Sequence, residues 1–129
     1  MTEPDKEVLE FIKHFYGKDP NFAKNLFSYG QCFWFARILK DRFYFSKGKT
    51  ALYYNQILNH FACRIGNYLY DINGAIQLCS SGWIPWDEYT KIEPDDSSRV
   101  YRDCVYQLSP EEWEMSYLSS QDYLWLYLH

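Results

Sequence analysis

Cys32, His60 and Asp71 are the residues whose types and order point to chemistry. Cys32 follows Tyr29-Gly30-Gln31 and opens the apolar run Phe33-Trp34-Phe35-Ala36-Arg37-Ile38-Leu39. A Cys so placed lies near a helix N-terminus, where unpaired backbone N–H groups and the positive dipole end favour a thiolate. A buried structural Cys at a helix start fits the same stretch, so its partners decide. Gly66-Asn67 is a two-residue hairpin signal between two strand-like runs. That turn pairs Ile65 with Tyr68, Arg64 with Leu69, Cys63 with Tyr70 and Ala62 with Asp71. Alternation then places His60, Ala62 and Arg64 on one face with Asp71, which is diagonal to His60 at roughly 7–8 Å between backbones, within side-chain reach.

A catalytic Cys needs a base or ion-pair partner, and that base needs a third group to fix its tautomer. Cys32 would attack a carbonyl carbon, and His60, through Nδ1 or Nε2, would handle the proton. Asp71 would hold the imidazole. Asn73, opposite His60 if the pairing extends that far, is the alternative orienter. The Cys32 backbone N–H, with Gln31 or Gln56, would face the developing oxyanion. Plainer roles exist for the same residues: a half-buried strand His bonded to a carbonyl, and an Asp that shapes a turn. Cys63 falls on the face opposite His60, which argues against it as nucleophile. Cys63, Cys79 and Cys104 read as core or strand residues, and Trp83, Trp86 and Trp113 as packing.

The elements that must position these groups follow from periodicity. Pro4 to Tyr16 reads as a helix, with Val8, Leu9, Ile12, Phe15 and Tyr16 on one stripe and Gly17 as the stop. Asn21 to Tyr29 holds a short helical turn. The central helix runs from Gln31 or Cys32 to Phe43, with Phe35, Ile38, Leu39 and Phe43 facing inward. Strands are predicted over Ala51–Ile57, His60–Ile65, Tyr68–Ile72 and Val100–Leu108, and Ala75–Leu78 can extend the sheet. Pro85 to Tyr89 is predicted as a short helix with Pro near its start. Glu93 to Ser98 reads as polar and exposed, Ser109-Pro110-Glu111-Glu112 as a helix opening, and the aromatic tail Asp122–Leu128 as packed on the body. This order gives an α+β fold in one domain spanning residues 1–129.

Composition bounds the function. A chain of 129 residues builds a core without disulfides or metal. Net charge is −4 and no Lys/Arg block stands out, which disfavours nucleic acid as a partner. Aromatic residues make up 21 % of the chain, enough for a filled core and an exposed aromatic surface that a protein partner can use. No apolar run reaches the length of a membrane span, and the charged start Met1-Thr2-Glu3-Pro4-Asp5-Lys6-Glu7 lacks the apolar stretch of a signal peptide. The expectation is a cytoplasmic protein with reduced thiols and no membrane association. The four Cys contain no C-x-x-C pair, so no metal or cofactor is expected.

Gly30-Gln31-Cys32-Phe33-Trp34-Phe35-Ala36 resembles the G-Q-C-x-W-x-A opening of CHAP amidohydrolases, members of the papain-like cysteine peptidase superfamily. The block from His60 to Gly74 resembles the second half of papain-like and transglutaminase-like cores, where the His lies on one strand and the Asp on the next. The resemblance covers Tyr29 to Gly74, a little over a third of the chain. It implies a papain-like core whose central helix carries Cys32 against a small antiparallel sheet, with Cys32 as nucleophile, His60 as base and Asp71 as orienter. The Cys32-to-His60 gap is shorter than in CHAP domains and nearer the transglutaminase-like arrangement. The upstream Gln that papain-like peptidases use for the oxyanion has no clear counterpart, since position 26 is Leu and Gln31 adjoins the Cys. The expected function is a thiol-dependent acyl-transfer enzyme, a cysteine hydrolase, peptidase or amidase acting on an amide or isopeptide bond of a peptide or protein. The alternative is a non-catalytic binding or inhibitor module on the same fold, encoded by a phage or mobile element.

Overall fold

Asp5 starts the first helix by capping it. Its Oδ1 accepts the backbone N–H groups of Glu7 at 2.9 Å and Val8 at 3.4 Å, satisfying donors that the helix leaves open. The structure, a computed structural model, describes residues 3–15 and 32–105. The helical turn expected over Asn21–Tyr29, Gln31, the helix opening at Ser109, Trp113 and the tail from Asp122 lie outside the described residues, as do the side chains of His14 and Cys104.

Helix α1 (Lys6–Phe15) buries Val8, Phe11 and Ile12 on one stripe. Phe11 meets Phe43 edge to face at 5.6 Å, which seats α1 on the far end of α2 (Cys32–Lys47). The second helix buries Cys32, Phe33, Phe35, Ala36, Ile38, Leu39 and Phe43, a stripe wide enough for a helix covered on more than one side. It runs four residues past the expected end at Phe43. It stops where Gly48 takes φ +84°, a left-handed conformation that costs a glycine little.

Five antiparallel strands follow: β1 (Thr50–Asn55), β2 (His60–Ile65), β3 (Tyr68–Asp71), β4 (Gly74–Gln77) and β5 (Trp83–Pro85), in the sheet order β4-β3-β2-β1-β5. Phe61, Cys63 and Ile65 alternate onto the helix-covered face, where Phe33 of α2 meets Phe61 at 5.1 Å. Tyr54, Phe61, Trp86 and Tyr89 continue this core as a cluster of rings 4.9–5.8 Å apart. The architecture among the described residues is α+β, a small antiparallel sheet with four helices.

Two expectations are corrected. Val100–Leu108 was expected as a strand, yet Pro94–Val105 forms helix α4, which follows α3 (Trp86–Ile92), and Glu93–Ser98 is largely exposed as expected, with Ser97 buried. Pro94 occupies the first helical position, and Asp95 and Asp96 sit on the positive dipole end. Arg99 then bonds Asp96 and Asp103 across one turn on either side, at 2.8 and 3.2 Å. Ser97 and Val100, three residues apart, are buried, and Tyr89 donates a hydrogen bond to Asp96. Local helix signals and one inward stripe outweigh the β-branched and aromatic character of Val100 and Tyr101. Cys79, expected in the core or a strand, is exposed in the turn after β4, because that strand ends at Gln77.

Candidate active site

The site is assembled from three element ends. Cys32 is the first residue of α2, His60 the first of β2 and Asp71 the last of β3. The β2–β3 register pairs Cys63 with Tyr70, Arg64 with Leu69 and Ile65 with Tyr68, as the two-residue turn predicts. Gly66 takes φ +64° in that turn. His60 and Asp71 therefore share a face on neighbouring strands, and His60 Nε2 lies 2.8 Å from Asp71 Oδ2.

Asp71 is held from both sides. Its second oxygen, Oδ1, accepts the Asn73 backbone N–H at 2.8 Å. Pairing does not carry Asn73 opposite His60. The chain reverses after Asp71, which pairs with Gly74 at the start of β4. Asp71, not Asn73, is thus the residue that bonds the imidazole, and the Asn73 backbone N–H bonds Asp71.

Cys32, His60 and Asp71 are all buried, at 9 %, 9 % and 7 % exposure. Burial is the largest influence on His60 and by itself disfavours the imidazolium. Hydrogen bonds and charge attraction from Asp71 and Cys32 outweigh it and push the His60 pKa up from 6.5 to about 9. The imidazole thus bonds the Asp71 carboxylate, and the Cys32 side chain is near enough to add to the rise in its pKa.

The remaining expected residues are placed differently. Gln56 is exposed in the β1–β2 turn, and Gln31 lies outside the described residues. The Cys32 backbone N–H, the other expected oxyanion donor, lies in the first turn of α2, where a helix supplies no partner of its own. Cys63 is fully buried on the helix-covered face, and burial pushes its thiol pKa up to about 12. Arg64 braces the sheet by donating to the Tyr53 hydroxyl and the Gly66 carbonyl, both at 3.0 Å.

Trp83, expected as packing, also borders the site. Its indole stands edge-on to the His60 ring at 6.1 Å and walls that side of the site. β5 is three residues long and carries no alternating pattern, so nothing in the chain order announced this contact. Among the described residues no three His, Cys, Asp or Glu side chains gather to hold a metal ion. None of the described helices is long and apolar enough to cross a membrane.

Compared with known proteins, residues 8–117 match the model of the family described as Phage YunG-like protein. No curated protein and no solved structure matches.

Proposed function

The chain belongs to the phage YunG-like protein family, and for this member of it we propose a thiol-dependent acyl-transfer enzyme on a papain-like core. Its substrate is an amide or isopeptide bond. The observation that carries the proposal is the buried His60 bonded to the Asp71 carboxylate, with Cys32 at the start of α2 near enough to raise its pKa further. A His60 pKa of about 9 makes the imidazolium its dominant form at neutral pH, and a cation beside the sulfur is what a thiolate nucleophile requires.

The Cys32 sulfur adds to the carbonyl carbon, and the developing oxyanion is met by the Cys32 backbone N–H. The C–N bond then breaks as His60 gives its proton to the departing nitrogen, leaving a thioester on Cys32. Water or an amine, deprotonated by His60, attacks the thioester and returns the thiol. Asp71 keeps the imidazole in register through both half-reactions.

A generic acyl donor tests the step. With p-nitrophenyl acetate, the expected result is a burst of p-nitrophenolate stoichiometric with protein and an acetyl group on Cys32 by peptide mass mapping. Cys32→Ala should give neither. An unmodified Cys32, or an equal burst from Cys32→Ala, overturns the proposal.

A second reading is a phage-encoded binding module that kept the fold without turnover. It is favoured by the low exposure of Cys32 and His60, 9 % each, and by the phage description of the family. It requires Cys32→Ala to retain the full biological effect.

A further inference from the structure

Asn55 stands in the same cross-strand row as the site. The β1–β2 register pairs it with His60, and the β1–β5 register pairs it with Trp83. Directly paired residues share a face, so the order across the sheet is His60, Asn55, Trp83. Neighbouring strands lie about 4.8 Å apart, so residues two strands apart start from about twice that spacing. The His60 and Trp83 rings nonetheless close to 6.1 Å. Something must hold both ends of the row in place.

The Asn55 amide does so with both of its polar atoms. The residue is 2 % exposed. Its Oδ1 accepts the Leu58 backbone N–H at 3.1 Å, fixing the β1–β2 turn that delivers His60. Its Nδ2 donates to the Ser81 carbonyl at 3.2 Å, fixing the turn that delivers Trp83. Gly82 packs directly on this amide: a Cβ added there would lie 2.9 Å from both Nδ2 and Oδ1. Gly82 also takes φ +93°, where a side chain is strained. On the far side of the first turn, the Tyr54 hydroxyl donates to Asn59 Oδ1 at 2.7 Å, so the turn is pinned at two points.

We propose that Asn55 is a positioning residue for His60: its amide locks the turns before His60 and Trp83 together, holding the imidazole against the indole and in line with Cys32. This assignment deepens the acyl-transfer reading and rests on it. A structural role alone predicts lower stability with an unchanged pH profile for each folded molecule. A positioning role predicts a shifted one. A misplacement of about 1 Å costs on the order of a hundredfold in rate.

The test uses the full chain carrying Asn55→Ala or Gly82→Ala. The first removes the amide. The second presses on it while leaving every hydrogen-bonding group of Asn55 in place. Two readouts are taken on the folded fraction: the pH dependence of Cys32 alkylation by iodoacetamide, and the His60 titration by NMR. Expected are alkylation at neutral pH slowed about tenfold to a hundredfold, and a His60 midpoint lowered from about 9 toward 6.5. A folded variant with parental alkylation and an unmoved His60 midpoint overturns the proposal. Loss of the fold in both variants also overturns it, by assigning Asn55 to stability. An unreactive Cys32 in the parent chain counts against the acyl-transfer reading instead, and the His60 titration still decides the role of Asn55.

Discussion

His60 Nε2 and Asp71 Oδ2 lie 2.8 Å apart, both buried, at the same end of two antiparallel strands. A buried imidazolium is costly without a carboxylate to pair with it. Asp71→Ala leaves His60 without its anion and the Asn73 backbone N–H without its acceptor. The expected cost is about 3–5 kcal/mol of folding stability, read from urea unfolding. The His60 midpoint, read by NMR, is expected to fall from about 9 toward 6.5.

The raised His60 pKa makes stability depend on pH. The folded state binds this proton more tightly than the unfolded chain does. The contribution is therefore fully present below pH 6.5 and is lost as pH rises through about 9. A difference of this size corresponds to about 3 kcal/mol. Urea melts at pH 6 and pH 9.5 are expected to show the loss, and His60→Ala should flatten that part of the profile.

The three described thiols should separate by environment. Cys63 is fully buried with its thiol pKa pushed up to about 12, so it should stay unmodified until the protein unfolds. Cys79 is exposed and serves as the internal reference. Peptide mapping after timed iodoacetamide treatment at pH 7.5 is expected to show Cys79 modified and Cys63 intact, with Cys63 appearing only in denaturant.

Leu39 is fully buried in α2, within the core shared by α1, α2 and the sheet. Leu39→Ala is expected to cost about 2–5 kcal/mol through lost burial and the cavity left behind. A calorimetric melt checks it. Because Leu39 lies about two turns beyond Cys32 along α2, His60 in the folded fraction should keep its midpoint.

Much of the His60–Asp71 relationship was legible in the chain. Gly66-Asn67 is a turn signal that sets the β2–β3 register, and a period of two does the rest. Cys32 at a helix start was legible from the apolar run that follows it. What remained hidden was encoded in tertiary contact. Asn55 lies unremarked within the expected strand Ala51–Ile57, and only the fold brings Ser81, 26 residues away, and Gly82 onto its amide. Trp83 reads as a core ring because β5 is too short to show alternation. The helix Pro94–Val105 is hidden for another reason: its opening acids read as polar and exposed, and the helix start that Pro94 makes ahead of Asp95 and Asp96 competes with the strand character of Val100 and Tyr101.

The most direct measurement of the central claim is the rate at which iodoacetamide modifies Cys32 at pH 6 in the native full chain, mapped by mass spectrometry beside Cys79. With His60 as an imidazolium against the sulfur, Cys32 is expected to react at least about tenfold faster than Cys79, and His60→Ala should remove the advantage. Modification of Cys32 no faster than Cys79 or free cysteine, with no effect of His60→Ala, would contradict it.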